Sequence, residues 1–286
     1  MIKIKFFSSF CESSIVKYTY ECLCETHLIN SYGHDKKIFI TNGDDYTHVI
    51  ILNTAMPVLK NIPKQNVIGL AFEPPRFLGL TSAFINYAQK NINKYYIGEK
   101  GNLPEPFIEG FGYMVHITPL TYLPLKKKYM SIMISQKQNA PGHVYRHTLV
   151  KNILKYNLPI DIYGRGCEYY ASLNDSRIKG KFNNIEPYEN YDFHICIENF
   201  QTSHYFSEKI MDPLLCNTIP VYLGCRNIKD YFNDNVILLS GNVKDDIILL
   251  NNILRNPSQY KKSIKLDDIK DKINLIKNVE RLFLYK

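Results

Sequence analysis

The 286-residue sequence contains no tryptophan, and its seven cysteines are an odd number at irregular spacing. A disulfide framework needs paired thiols, so this usage argues against one and for a reducing compartment. There is no run of the roughly 18 apolar residues that a membrane span needs. The opening stretch MIKIKFFSSFCESS lacks the apolar centre of a secretory leader. These absences exclude a stapled secreted domain and an integral membrane helix, and the chain reads as soluble and cytoplasmic. Internal repeats and low-complexity tracts are also missing. Cys22, Cys24 and His27 form the one close group of metal-type side chains, but no second ligand pair follows at a spacing a structural zinc would require. Core or surface thiols are the expected reading.

What is present describes a globular protein: 45% apolar residues and 13% aromatics, 22 of them tyrosine. The length suits two domains better than a single core. A net charge of +8 fits an anionic ligand, but equally nucleic acid or a membrane surface, and the Lys and Arg residues are scattered. Strand-like runs at 2–7, 37–41, 49–52 and 67–72, with a helical pattern over 13–27, predict a parallel sheet with helices on both faces, a Rossmann-like domain. The stretch 118–128, TPLTYLPLKKK, has two prolines and a basic run, the composition of a linker. A second domain follows, with a strand at 129–134, a polar loop entering a helix with apolar Leu149, Val150, Ile153 and Leu154, and a strand closing on DIYGRG (161–166). Residues 167–190 read as a surface excursion. A last βα unit fits 236–240 with 245–254, and 266–286 reads as a helical tail.

The pattern is densest over 191–224. A buried strand at 193–197 ends on the polar pair Glu198 and Asn199, a helix fits 205–216, and a second buried strand at 219–223 closes on Gly224. This βαβ unit places Glu198, Asn199, Tyr205, Glu208 and Lys209 where strand carboxyl ends and a helix amino terminus favour a phosphorylated ligand. Carboxylates accept from ribose hydroxyls and an ammonium neutralises a diphosphate, so the set suggests a sugar-nucleotide site. The alternative for any one of them is a solvated charge, with Glu208 merely complementing the helix dipole. Glu73, in IGLAFEPPRF, stands between an apolar strand and two prolines that stop it. Beside apolar walls such a carboxylate would be pushed up by desolvation and could take a proton; a plain loop carboxylate is the alternative. Arg146 falls in the first turn of its predicted helix, where the helix dipole does not favour a cation, so a phosphate partner would explain it; an exposed Arg packing its stem is the alternative. His143 and His147, beside it, read as surface residues.

The run ENFQTSHYFSEKIMDPLLCNTIPVYLG closely resembles the donor-site signature of the α-1,3-fucosyltransferases, roughly E-N-(small)-Q, a spacer, Y-(V/I)-(S/T)-E-K, a helix, and (I/V)-P-V-x-(L/W)-G. It departs at Phe200, where the family has a small residue, and at Phe206, where it has a β-branched one. FEPP resembles the family's F-E-(S/P)-P, DIYGR its V-D-x-Y-G-(R/K), and GFGYM near Gly110 its Y-G-Y segment. The resemblance implies a GT-B architecture of two Rossmann-like domains facing each other across a cleft: 1–122 for the acceptor, possibly joined by the carboxyl-terminal helix 266–286, and 123–265 for the donor GDP-fucose. It implies Glu73 as catalytic base, Arg146 and Lys209 on the diphosphate, Glu208 on the ribose, and Tyr205, Glu198 and Asn199 shaping the donor pocket. The implied reaction moves L-fucose with inversion to a glycan hydroxyl, α-1,3 to GlcNAc or Glc. With no DxD-like pair on the path, no metal is expected; neither is nucleic acid nor a transmembrane segment. A GT-B enzyme using another nucleotide sugar and a noncatalytic nucleotide-sugar or glycan binder stay open.

Overall fold

Apolar strands alternating with amphipathic helices build two six-stranded, wholly parallel sheets. The computed structural model describes residues 1–26, 37–112, 116–233, 235–273, 278, 282 and 283. The first sheet comprises β1 (Ile2–Ser8), β2 (Ile38–Ile40), β3 (His48–Leu52), β4 (Val67–Leu70), β5 (Lys94–Ile97) and β6 (Phe107–Glu109), in the spatial order β2-β1-β3-β4-β5-β6. Helices α1 (Ser13–Thr26), α2 (Pro75–Leu78) and α3 (Ser82–Asn91) accompany it. In β1 the alternation IKIKFFS buries Ile4 and Phe6 against Val16, Tyr20 and Leu23 of α1. β3 and β4 are apolar on both faces, as strands covered by helices on each side must be.

The second sheet comprises β7 (Lys128–Met133), β8 (Ile160–Tyr163), β9 (Ile178–Gly180), β10 (Tyr191–Ile197), β11 (Ile219–Leu223) and β12 (Ile237–Leu238). Its helices are α4 (Pro141–Lys155), α5 (Glu186–Glu189), α6 (Glu208–Leu215), α7 (Lys229–Phe232), α8 (Val243–Arg255) and α9 (Pro257–Tyr260), and α10 (Leu266–Ile273) follows them in the chain. The spatial order β12-β11-β10-β7-β8-β9 is doubly wound: the chain builds outward from β7 through β8 and β9, then returns to place β10 on β7's other side. The crevice beyond the carboxyl ends of β7 and β10 is therefore the position this topology offers a ligand. Ile132, Ile195, Val221 and Ile162 form the core with Leu149, Val150 and Ile153 of α4 and Leu250 and Ile253 of α8.

By contacts the chain divides into Met1–Met114, Thr202–Tyr205 and Lys270–Lys286 as one unit, and Val115–Gln201 and Phe206–Ile269 as the other. Four residues from the loop between β10 and α6 thus count with the first unit: Ser203 N donates to Glu99 Oε1 at 3.1 Å, and His204 Nε2 lies 3.8 Å from Glu109. In the tail, Leu282 and Phe283 pack on the first unit's apolar cluster, the Phe283 ring 4.9 Å from that of His48.

Several expectations need correction. Residues 167–190 are more than an excursion: they hold most of the 3-10 turn Arg165–Leu173, edge strand β9 and α5. α6 begins at Glu208, three residues later than its apolar pattern suggests, because Ser207 is extended and caps it. The basic run opens on a part-buried contact: Lys126 Nζ donates to Cys216 O and Thr218 Oγ, both at 2.7 Å, and burial pushes its amine down to about 8. His27 and the Tyr113–Met114 part of GFGYM lie outside the described residues, as does the Cys24 side chain. Among the described residues no helix is long and apolar enough to cross a membrane, and no group of three His, Cys, Asp or Glu side chains could hold a metal.

Candidate functional site

Glu198 organises the second unit's site. Its N–H extends the sheet by donating to Leu223 O at 2.8 Å, while its side chain turns inward and is fully shielded. An isolated buried carboxylate is costly, so it must be compensated. Ser207 does this twice, donating from its backbone N at 2.8 Å and from Oγ at 2.8–2.9 Å. The Ser207 oxygen in turn accepts from Lys209 Nζ at 3.0 Å and, as N-cap of α6, from Lys209 N at 3.4 Å. Lys209 Nζ lies 3.6 Å from Glu198 and 2.8 Å from Glu208. Burial opposes the charge on Lys209, but Glu198 and Glu208 outweigh it and raise its pKa; burial likewise opposes ionisation of Glu208, and Lys209 reverses that and lowers it. Glu208 and Lys209 are thus held as ions at neutral pH, and the solvated-charge reading fails for Glu198 because its side chain is fully buried.

Two glycines make this packing possible. A Cβ at Gly142 would stand 1.8 Å from Glu198 O, and one at Gly224 would stand 2.5 Å from Glu198 Cγ. The amino terminus of α4 is thereby pressed against the end of β10, where Gly142 N donates to Asn199 O at 3.0 Å. Arg146 lies in the second turn of α4, not the first, and is 6% exposed. Its Nε donates to Ile197 O at 2.9 Å, and its Nη2 to the same oxygen and to Asn199 Oδ1, the latter at 2.9 Å. It is neither exposed nor stem-packed. His143 and His147 are also buried rather than on the surface. His147 Nε2 donates to Ser135 O and its Nδ1 accepts from Tyr170, both at 2.9 Å, fixing the β7–α4 loop. Burial and the Arg146 charge push His143 down to about 4, so it is neutral.

These groups surround a cavity of about 300 Å³ at the β7/β10 switch point, lined by Met133, Arg146, Arg165, Phe182, Glu208 and Lys209 among others. Glu198 and Asn199 stand behind this wall, joined to it through Ser207, Lys209 and Arg146. Arg165, Phe182 and His194 were not singled out in the sequence. Asp212 is a further unannounced group: it accepts from Ile117 N at 3.0 Å, and burial pushes its carboxyl up to about 7.

Glu73 and Tyr205 belong to the first unit. Glu73 is half-buried just beyond β4, before the prolines that open α2. The turn that carries it is fixed by Asn53, which sits at φ 54° after β3: Phe72 N donates to Asn53 Oδ1 at 2.7 Å and Tyr95 OH to Asn53 O at 2.8 Å. Tyr205 is buried, its Cβ beside Gly98, where an added methyl would approach to 3.2 Å.

A doubly wound sheet with cations and a capped helix terminus at its switch point is an arrangement at which open α/β domains can hold an anionic ligand. Residues 123–240 match the carboxyl-terminal model of glycosyltransferase family 10 (fucosyltransferase). Over 96 residues the chain is 38% identical to alpha-(1,3)-fucosyltransferase B of Drosophila melanogaster, covering 32% of this chain and 21% of that one, so it spans about a fifth of that relative's length. A crystal structure of an alpha1,3-fucosyltransferase superposes with a TM-score of 0.56 at 14% identity, covering 100% of this chain and 91% of the other. An alpha-glucosyltransferase solved with UDP and a DNA 13-mer gives 0.60 at 10% identity, covering 98% of each. The two-unit fold is of the GT-B glycosyltransferase type.

Proposed function

We propose that the protein is an inverting fucosyltransferase that moves L-fucose from GDP-fucose to a hydroxyl of a glycan, α-1,3 to GlcNAc or Glc. The observation that carries this reading is the ionised Glu208–Lys209 pair on the α6 cap, inside the segment that matches the family 10 model and on the wall of the switch-point cavity. Lys209 and Arg146 would stabilise charge developing on the departing diphosphate, an electrostatic contribution that needs no rearrangement because both side chains are already held. Glu208 would accept from the ribose, and Glu198, Asn199 and Tyr205 would shape the pocket. Glu73 would take the proton of the acceptor hydroxyl as that oxygen attacks the anomeric carbon and GDP leaves. The scheme assigns the charge stabilisation to side chains and requires no metal.

The test is transfer from GDP-fucose to a Galβ-GlcNAc acceptor, followed as GDP release and by the linkage in the product. Glu73→Gln is expected to lower transfer by about 10²–10⁴-fold, the range for loss of a general base, while GDP binding measured by calorimetry persists. Full activity in that variant would remove Glu73 from the chemistry. A protein that binds GDP-fucose but transfers nothing to any of a panel of acceptors would be a binder instead.

A further inference from the structure

Three cations line the switch-point cavity, and two are committed to the protein. Arg146 donates to Ile197 and Asn199, and Lys209 to Ser207 and Glu208. Arg165 lines this cavity and an adjoining one of about 180 Å³, is exposed, and makes no hydrogen bond or ion pair among the described residues.

Its backbone, by contrast, is held tightly. Gly164 N donates to Gly180 O at 2.6 Å, Gly166 N to Ile134 O at 3.1 Å and Cys167 N to Gly164 O at 3.1 Å. Gly164 sits at φ 101°, where a Cβ would stand 2.2 Å from Ile134 O, and a Cβ at Gly166 would stand 2.6 Å from Ser135 O. The turn after β8 is thus clamped to the end of β7 while one guanidinium leaves it uncommitted. A rigid mount with an unspent donor fork is what recognition needs, since little order has to be created on binding.

The same wall offers apolar contact from Met133 and Phe182. A cation beside apolar side chains suits a flat heterocycle that presents two neighbouring acceptors. Guanine does so with O6 and N7, and Arg grips that edge bidentately; adenine has an amino group at the O6 position, and pyrimidines lack the pair. β8 is also the second strand of the doubly wound order, and the segment after that strand is where such domains read the nucleoside end of a nucleotide.

We propose that Arg165 reads the O6/N7 edge of guanine and so sets the nucleotide selectivity of the cavity. This rests on the reading that the ligand is a GDP-sugar. The experiment titrates the full chain, as wild type, Arg165→Met and Arg165→Lys, with GDP, ADP, UDP and 7-deaza-GDP by calorimetry. Arg165→Met is expected to weaken GDP on the order of 10- to 100-fold and to leave ADP and UDP unchanged. 7-Deaza-GDP, which lacks the N7 acceptor, should bind the wild type less tightly than GDP and lose little more in the variant. Arg165→Lys, which keeps the charge but not the fork, should fall between. An equal loss for all the diphosphates would move Arg165 to the phosphate end and overturn the base reading, as would GDP affinity unchanged in Arg165→Met. Wild-type protein that binds no diphosphate would instead refute the GDP-sugar reading itself.

Discussion

Asp212 shows how one buried side chain couples this fold to pH. It sits one turn beyond Glu208 on α6, accepting the Ile117 N–H, and burial raises its carboxyl from the ordinary 3.8 to about 7. Between about pH 4 and 7 the native protein therefore retains a proton that the unfolded chain has released. Stability from this group falls as pH rises through that window and is level above it. Asp212→Asn keeps an oxygen for Ile117 and abolishes the titration. Denaturation at pH 5 and 8 should show the wild type losing more stability than the variant, with a slope difference of up to roughly 1.4 kcal/mol per pH unit. Parallel pH dependences would mean that Asp212 ionises near its ordinary value. At this scale the sequence placed Glu208 and Lys209 together at the start of α6, where the structure has them paired. It was unreadable where burial decides: Glu198, His143 and His147 carry no local sign of being inside, because the groups that shield them come from distant segments.

Helix α6 is the element on which the site turns. Ser207 both caps it and satisfies Glu198, so Ser207→Ala removes a helix cap, typically about 1 kcal/mol, and takes the hydroxyl donor from a buried carboxylate that keeps the residue-207 backbone N–H, about 1–3 kcal/mol more. The expected total, roughly 2–4 kcal/mol, would appear as a lower denaturation midpoint with weakened GDP binding, and Ser207→Thr should recover most of both. A loss below about 0.5 kcal/mol would show that Glu198 finds another donor. The apolar period located α6, β10 and β11 because each is buried along its length. The start of α6 was misplaced because Tyr205 and Phe206 continue its apolar pattern while their backbone is outside the helix. β9 went unseen for a different reason: three residues ending in glycine at φ 76° form a strand only through their pairing with β8.

On the scale of the molecule, the parallel order of both sheets follows from the βαβ alternation that the sequence displays. Which unit claims a given segment does not follow from it, since that is settled by contacts far apart in the chain. The tail illustrates this. Removing residues 278–286 would take Leu282 and Phe283 from the cluster built on Ile4, Phe6 and Tyr20. The first unit is expected to lose about 1–3 kcal/mol, the scale for burial of apolar side chains, seen as a lower melting temperature by calorimetry, while GDP affinity stays as in the full chain. An unchanged melting temperature would show that these contacts contribute nothing.

The four residues Thr202–Tyr205, lent by the interior of one unit to the other, bear on inheritance. A single recombination joint cannot pass on the second unit as a free-standing cassette, because it would travel with a strip of chain whose seat, Glu99 and Glu109, stays behind. Such a chimaera would have to accommodate a foreign seat at once, so the two halves are expected to descend as a linked pair, diverging by substitution more readily than by shuffling.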